Sequence, residues 1–222
     1  MLPTLSLGPL VLPVPILLIL IGLWLATFFS EKLSRYSKID RNRLTSLWTI
    51  FFICLVLGAR ISFVARYPGA FSQNWLSMFS TNPAMFDWTG GFIVGILVGS
   101  IYVSRKRMDP WATLDSLTPG IMVFLLFLGL SFLASGSYYG ISTNVPWSIS
   151  LWGAARHPTQ LYWMLWIGLV ANLLWPRPNQ QFVPGIRFLF FTLLTSLGLL
   201  FIEYFRADSQ MLIGGIRSLQ II

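Results

Sequence analysis

The stretch that decides the fold is LVLPVPILLILIGLWLATFF at residues 10–29, which contains no charged side chain. A transmembrane α-helix needs about 20 consecutive apolar residues, because the hydrocarbon core of a bilayer is about 30 Å thick. Five further apolar stretches follow, at residues 44–65, 89–104, 118–134, 158–175 and 188–205. The pattern predicts an all-α polytopic membrane protein with about six transmembrane helices, in a single domain over residues 1–222.

The composition also indicates a membrane protein. Hydrophobic residues make up 55% of the 222 residues and charged residues 10%, whereas soluble domains carry about a quarter charged residues. The net charge of +8 does not indicate nucleic-acid binding, because the basic residues lie between apolar stretches, where they act as topology signals. Cys54 is the only cysteine, which excludes an intramolecular disulfide.

The distribution of lysine and arginine predicts the orientation. The segment at residues 30–43 holds five basic residues, RKR at 105–107 holds three, and the connection at 176–187 holds two. With six spans, these three loops share one side, and they hold ten of the fifteen basic residues. Cytoplasmic loops are enriched in lysine and arginine. Both chain termini are therefore expected on the outer side.

Two of the stretches are short, and one of them also carries a helix-packing pattern. Those at 89–104 and 118–134 are short for a span, which favours a tilted or partly re-entrant path. In the first of them, Gly91, Gly95 and Gly99 recur at a spacing of four residues, which places them on one helix face. Such a row allows another helix to approach closely.

Charged and titratable side chains in or directly beside the apolar stretches are the candidates for chemistry, because a charge in the membrane costs about 2.5–3.5 kcal/mol. They are Arg60, Arg156, His157, Glu203 and Arg206, and His157 is the only histidine. The predicted orientation places all five at the outer side. For Arg156 and Arg206, the alternative is a guanidinium that reaches toward the membrane surface without any functional role.

Spacing relates several of these side chains. His157 and Gln160 are three residues apart, as are Glu203 and Arg206, so each pair is expected to share a helix face. Arg60 has no acidic residue in its own stretch, and Glu203 is a plausible partner from another helix. Two interpretations stay open, a pair that only holds helices together and a pair that serves a binding site.

Several motifs occur in the order found in bacterial prolipoprotein diacylglyceryl transferases, and the sequence resembles that family over roughly residues 45–210. The most specific is RHPTQLYW at 156–163, which is similar to the family's His-Pro-(Ser/Thr)-Gln-Leu-Tyr-Glu element. The other matching segments are LGARISFV at 57–64, WTGGFIVGILVG at 88–99, LDSLTPGI at 114–121, YYGISTNVPWSI at 138–149 and IEYFRADSQ at 202–210.

The resemblance implies an integral enzyme of the bacterial cytoplasmic membrane with an outward-facing active site. Such enzymes transfer the diacylglyceryl group of phosphatidylglycerol to the lipobox cysteine of a prolipoprotein and release glycerol phosphate. The displacement needs a base for the thiol and cationic groups for the phosphate. The implied partners are phosphatidylglycerol, a prolipoprotein and the membrane, with no nucleic acid.

On this interpretation, His157 is the catalytic residue and acts as a base or as a hydrogen-bonding group. The expected substrate-binding residues are Arg60, Arg156, Gln160, Tyr162, Glu203 and Arg206. The three arginines are expected to bind the phosphate, Glu203 to orient an arginine, and Gln160 and Tyr162 to shape the pocket. We expect no cofactor and no metal, because one histidine, one cysteine and seven scattered acidic residues form no ligand cluster.

Other residues occupy several positions where the family carries catalytic groups. Thr89 replaces the histidine of His-Gly-Gly, Trp163 replaces the glutamate of the His-Pro element, and Leu199 replaces an arginine one turn before the late glutamate. The segment at 128–140 lacks the arginine, asparagine and glutamate of a family signature. The family also continues with a further span, which we expect to be absent because the sequence ends at Ile222. The chain is therefore a divergent member.

Three explanations of these departures stay open. In the first, the remaining arginines bind the phosphate in place of the missing groups. In the second, the protein binds lipid without catalysing a reaction. In the third, it acts on a different lipid with His157 as its only base. We expect diacylglyceryl transfer or a close variant, with a catalytically inactive paralogue that binds lipid or lipoprotein as the alternative. A small transporter is disfavoured, because the ionisable residues cluster toward one side of the membrane.

Overall fold

The computed structural model describes residues 4–7, 10–34, 39–71, 74–80, 82, 85–177 and 183–208. These residues form two β-hairpins, six α-helices and two short 3₁₀-helices, Pro68–Phe71 and Trp75–Phe79. The elements in chain order are β1 (Thr4–Leu7), β2 (Leu10–Pro13), α1 (Val14–Leu33), α2 (Arg41–Arg66), α3 (Trp88–Arg105), α4 (Pro110–Ser135), β3 (Ile149–Leu151), β4 (Ala154–Arg156), α5 (Thr159–Leu174) and α6 (Ile186–Glu203). The expectation of an absent last span falls on residues 209–222, outside the described residues.

The prediction of an all-α polytopic membrane protein is confirmed. Among the described residues, α1, α2, α3, α4 and α6 are long and apolar enough to cross a membrane, and α5 is a shorter apolar helix of 16 residues. The first helix begins at Val14 and not at residue 10, because residues 10–13 pair with β1. Pro15 then lies in the first turn, where its missing N–H costs nothing.

The prediction of a short fourth span was wrong. Helix α4 is 26 residues long, because the polar residues before the apolar run are helical as well. The Thr113 and Thr118 hydroxyls donate to the carbonyls of Asp109 and Leu114, four residues earlier in each case. Hydroxyl groups bonded in this way leave no unsatisfied donor on the helix surface.

The described chain divides into two compact units, of which unit 2 is Lys38–Thr113. Within it, α3 packs closely against α2 through the predicted glycine row. A methyl group at Gly91 would lie 2.8 Å from the Ala59 Cβ, and one at Gly95 would lie 3.0 Å from the Phe51 ring. Gly91, Gly95 and Gly99 are all buried, so the predicted helix-packing role of the row is confirmed.

Unit 1 comprises residues 1–37 and 114–222, which include α1, most of α4, α5 and α6. One of its buried apolar clusters is built on Met122, Val170 and Phe191, and a second on Trp163, Ile167 and Ile202. That both units belong to a single membrane domain stays a prediction.

A side chain of α4 fixes the start of α6. The Asp115 carboxylate is buried and accepts the backbone N–H groups of Gly185 and Phe188, each at 2.8 Å. Helix N-termini leave backbone N–H groups without intrahelical partners, and a carboxylate can accept hydrogen bonds from them. Its negative charge also interacts favourably with the positive end of the helix dipole. The Leu-Asp motif at 114–115 therefore has a structural role in the described chain.

A small antiparallel arrangement in unit 1 connects the ends of these helices. Strands β3 and β4 form a hairpin with a two-residue turn, Trp152-Gly153, at φ values of 52° and 76°. Such values define a type I′ turn, which favours glycine. Residues 139–143 run beside β4 on one side and beside residues 205–207 on the other, with bonds from Thr143 N–H to Ala155 O and from Ile141 N–H to Phe205 O.

Candidate functional site

His157 lies between β4 and α5, and its backbone belongs to the antiparallel arrangement. Its N–H donates to the Ile141 carbonyl at 3.1 Å, and its carbonyl accepts the Gly140 N–H at 3.2 Å. The predicted helix face shared by His157 and Gln160 is therefore wrong, because α5 begins only at Thr159. Pro158 explains the boundary, since a residue that precedes proline is driven out of the helical conformation.

The His157 imidazole faces Tyr162, a residue that the sequence assigned to the site. The distance from His157 Nδ1 to Tyr162 Oη is 3.0 Å. The same Tyr162 oxygen accepts the indole N–H of Trp147 at 2.8 Å. The Phe205 ring lies 5.1 Å from the imidazole, centre to centre. One side of the imidazole is thus fixed by a polar partner and another by an aromatic ring.

Gln160 is turned away from His157. It is fully buried, and its Nε2 donates to the Ser137 carbonyl at 2.8 Å. The neighbouring Thr159 hydroxyl donates to the Tyr138 carbonyl. Both side chains at the start of α5 therefore hold in place the segment that directly follows α4. Pocket shaping by Gln160 stays a prediction.

Arg156 lies at the end of β4, beside His157. Its Nε donates to the Leu151 carbonyl at 3.1 Å and its Nη1 to the Gly140 carbonyl at 3.3 Å. The guanidinium also stacks on the Tyr139 ring, 4.9 Å from the ring centre. Neutral groups thus position this half-buried cation, and in the described part of the chain no carboxylate forms an ion pair with it.

Arg206, by contrast, is held between two carboxylates. Its Nη1 donates to Glu203 Oε2 at 2.8 Å, and its Nη2 donates to Asp208 Oδ1 at 2.8 Å. The pair that the spacing predicted is therefore present, although α6 ends at Glu203 and Arg206 lies in the following turn. This ion pair agrees with the expectation that Glu203 orients an arginine.

Tyr138 completes the surroundings of Arg206. The guanidinium lies over its ring at 3.9 Å, and the Tyr138 N–H donates to Asp208 Oδ2 at 2.7 Å. Burial raises the pKa of the Tyr138 hydroxyl to about 12. Burial also opposes the charge of Arg206, but Tyr138, Asp208 and Glu203 outweigh it and raise the pKa of the guanidinium. Arg206 is therefore always charged, with its charge compensated locally.

Arg60, the remaining predicted site residue, lies on α2 in unit 2. Its Nε, Nη1 and Nη2 donate to the carbonyls of Met78, Met85 and Ser77, each at 2.6 Å. The guanidinium also lies within 6 Å of the ring centres of Phe71 and Phe86. Arg60 thus ties the segment after α2 to that helix, and phosphate binding by Arg60 stays a prediction. Arg60 and Glu203 each have partners inside their own unit.

Two positions where the resemblance implies charged residues lie in one apolar cluster. Trp163 is 5% exposed and donates its indole N–H to the Leu125 carbonyl. Leu199 packs against the cluster that Trp163 forms with Ile167 and Ile202. The two positions that depart from the family pattern therefore lie in the same apolar cluster.

An apolar groove of about 280 Å³ runs between α5 and α6. Its lining residues are Tyr162, Leu165, Trp166, Leu169, Phe201 and Ile202. Leu165 and Phe201 are 73% and 65% exposed, as suits side chains of a membrane helix that face lipid. Tyr162 lines the groove and also contacts His157, so a single side chain separates the groove from the imidazole.

Sequence reasoning missed several residues of this site. They are Trp147, Tyr138, Gly140 and Asp208, and no spacing rule relates them to His157 or Arg206. The only available signal was their presence in two matching segments, 138–149 and 202–210. Some of their contacts depend on backbone pairing between segments more than 60 residues apart, such as Gly140 with Arg206.

Comparisons with known proteins agree with the resemblance. The sequence model of a family described as prolipoprotein diacylglyceryl transferase matches residues 4–222. Curated proteins named phosphatidylglycerol--prolipoprotein diacylglyceryl transferase are similar as well. The one from Clostridioides difficile (strain 630) is 30% identical over 202 residues, which cover 90% of this chain and 81% of the relative.

Two further relatives carry the same name. The protein of Streptococcus equi subsp. equi (strain 4047) is 29% identical over 219 residues, 94% of this chain and 85% of the relative. That of Thermosynechococcus vestitus is 27% identical over 238 aligned positions, 99% of this chain and 86% of the relative. Together with the five long apolar helices, these matches identify an integral membrane protein.

Proposed function

Because the chain belongs to the prolipoprotein diacylglyceryl transferase family, we propose that it transfers the diacylglyceryl group of phosphatidylglycerol to the lipobox cysteine of a prolipoprotein. The observation that carries this proposal is the apolar α5–α6 groove, whose lining residue Tyr162 contacts the His157 imidazole. A lipid with one acyl chain in this groove has its polar headgroup beside the imidazole. The groove thus suits a substrate with one apolar and one anionic end.

The chemistry is a displacement at a glyceryl carbon of the lipid. The cysteine sulfur forms a bond to this carbon, the carbon–oxygen bond to the phosphate breaks, and glycerol phosphate leaves while the thiol loses its proton. Cationic groups that face the leaving phosphate lower the barrier, since they stabilise charge that develops there. His157 contributes as a base or as a hydrogen-bonding group.

Among the three predicted phosphate ligands, Arg156 has the strongest support. It is adjacent to His157, and its described partners are neutral carbonyls and an aromatic ring, so its positive charge is not cancelled. The described partners of Arg206 include two carboxylates, and those of Arg60 are three backbone carbonyls. Phosphate binding by Arg60 and Arg206 therefore rests on the sequence alone.

The proposed active side faces outward from the bacterial cytoplasmic membrane. The support is the distribution of basic residues, which places residues 136–157 on the outer side. A prolipoprotein presents its lipobox cysteine there after its signal segment has entered the membrane. The partners proposed are phosphatidylglycerol and this prolipoprotein.

The test is a transfer reaction with purified protein in phosphatidylglycerol liposomes and a lipobox peptide, followed by mass spectrometry. We expect the peptide to gain one diacylglyceryl unit, and we expect His157→Ala to reduce this gain by about 10²-fold, the typical cost of one lost donor at developing charge. Asn144→Ala is the matched control, because Asn144 is exposed in the segment between α4 and β3. Equal activity of His157→Ala and Asn144→Ala contradicts the assignment of His157.

The alternative function is lipid or lipoprotein binding without catalysis. The observation that favours it is the apolar cluster of Trp163 and Leu199, which leaves no charge at two positions where the family carries one. This alternative predicts no mass shift in the peptide, while phospholipid co-purifies with the protein in stoichiometric amount. A His157-dependent mass shift contradicts it.

A further inference from the structure

A chain of hydrogen bonds joins Trp147, Tyr162 and His157, and Tyr162 also lines the α5–α6 groove. Trp147 Nε1 lies 2.8 Å from Tyr162 Oη, which lies 3.0 Å from His157 Nδ1. The indole N–H is only a donor, whereas a phenol oxygen accepts and also donates one hydrogen. The first bond therefore has a fixed direction, with Tyr162 as the acceptor.

The direction of the second bond decides the tautomer of the neutral imidazole. If the Tyr162 hydroxyl donates, His157 Nδ1 is the acceptor and the ring proton lies on Nε2. If His157 Nδ1–H donates instead, the Tyr162 oxygen accepts two bonds, and the lone pair of Nε2 is left as a base. The distance from Nδ1 to Oη fits either arrangement. The direction of the bond therefore depends on which acceptor the Tyr162 hydroxyl hydrogen can reach.

The surroundings of Tyr162 favour donation by its hydroxyl. In the described part of the chain, Tyr162 Oη has no hydrogen-bonding partners besides Trp147 and His157. The Phe205 ring and the apolar groove lie on its other sides. A hydroxyl that did not donate to His157 would therefore lack an acceptor in the protein. The bond received from Trp147 also polarises the hydroxyl and makes it a better donor.

We propose that Trp147 and Tyr162 are positioning residues that hold neutral His157 in the tautomer with its proton on Nε2. In this tautomer His157 offers the lipid phosphate a hydrogen-bond donor and does not act as a base toward the thiol. The acceptor cysteine then reacts as its thiolate, of which a few per cent is present at neutral pH. That the lipid phosphate accepts this hydrogen bond rests on the proposed function, whereas the tautomer rests on the contacts of His157 and Tyr162 alone.

The test uses the fact that the chain contains one histidine. Protein labelled with ¹⁵N-histidine in lipid nanodiscs, at alkaline pH where imidazole is neutral, gives one pyrrole-type and one pyridine-type nitrogen resonance. Couplings to Hδ2 and Hε1 identify each nitrogen. We expect the pyrrole-type resonance at Nε2 and the pyridine-type resonance at Nδ1. The reverse assignment overturns the proposal.

Variants test whether these two residues set the tautomer. Tyr162→Phe removes the hydroxyl and is expected to move both nitrogen resonances toward each other, as the two tautomers exchange. Trp147→Phe keeps a ring at an exposed position and is expected to move them in the same direction by less. Trp152→Phe is the matched control, because this indole donates elsewhere, to the Gly136 carbonyl. Spectra of Tyr162→Phe and Trp147→Phe that match wild type overturn the proposal.

The spectra need no turnover, so they separate this proposal from the proposed function. A protein without transfer activity that shows the Nε2-protonated tautomer supports the hydrogen-bond chain and contradicts only the enzyme assignment. An active protein with the proton on Nδ1 supports the enzyme assignment, identifies His157 Nε2 as an available base, and overturns the positioning role of Trp147 and Tyr162.

Discussion

At the scale of single residues, the two arginines of the site in unit 1 differ in what compensates their charge. Arg206 is 9% exposed and pairs with Glu203, which is 1% exposed, and with Asp208. The described bonds of Arg156 go to backbone carbonyls. We infer that Arg206 mainly stabilises the fold, while Arg156 supplies positive potential to the site.

Replacing Arg206 by glutamine is therefore expected to destabilise the protein strongly. This change removes the Arg206 ion pair of the buried Glu203 carboxylate, and breaking a buried ion pair typically costs about 3–5 kcal/mol. The double variant Glu203→Gln/Arg206→Gln removes both charges and is expected to recover part of this loss. Thermal unfolding in detergent measures the three proteins. A single variant as stable as wild type contradicts a structural role of the pair.

At the scale of the elements, His157 is positioned by backbone pairing that sequence reasoning did not detect. The apolar stretch at 158–175 predicted a helix, and α5 does begin near its start, at Thr159. The sequence did not indicate that His157 itself pairs with residues 140–141. Helix periodicity is visible in a local window, whereas pairing between short irregular segments depends on distant residues and leaves no local pattern.

Gly140 is the residue that permits this pairing. A methyl group on Gly140 would lie 2.6 Å from the His157 Cβ and 3.0 Å from the Phe205 carbonyl. Gly140→Ala is expected to displace His157 and lower transfer at least about tenfold, since small displacements of catalytic groups are costly. Gly168→Ala on α5 is the control, because nothing lies within 4 Å of the added methyl group. Equal activity of both variants contradicts the positioning role of Gly140.

The segment that follows α2 depends on Arg60 in a similar way. Arg60→Leu removes three bonds to backbone carbonyls and is expected to lower the free energy of unfolding by more than about 2 kcal/mol. Arg66→Leu on the same helix is the matched control, because Arg66 is 63% exposed and its pair with Asp87 is long, at 3.6 Å. Normal stability of Arg60→Leu together with lost phospholipid binding would instead favour the predicted phosphate contact.

At the scale of the whole molecule, the apolar stretches predicted the helices well. Five helices both begin and end within four residues of the predicted spans, whereas α4 starts eight residues early, at Pro110. The difference arises because Asp115 and the neighbouring threonines are polar in sequence but satisfied by hydrogen bonds in the fold. The two hairpins were not predicted, since strands of three or four residues are too short to give a periodic signal.

The orientation of the molecule is a separate prediction, because hydrophobicity alone does not define the two sides. In a Cys54→Ala background, we expect Asn144→Cys to react with a membrane-impermeant maleimide in intact cells, and Lys106→Cys to react only after the membrane is permeabilised. Both positions are exposed in the protein. The opposite labelling pattern contradicts the outward-facing site.

The most direct test of the central claim measures both products of the proposed reaction in one experiment. Phosphatidylglycerol with a radiolabelled headgroup and a fluorescent lipobox peptide report glycerol phosphate release and peptide lipidation together. We predict equal amounts of the two products, and a parallel loss of about 10²-fold in His157→Ala. Headgroup release without peptide lipidation, or neither product from a folded protein that retains bound phospholipid, would contradict diacylglyceryl transfer.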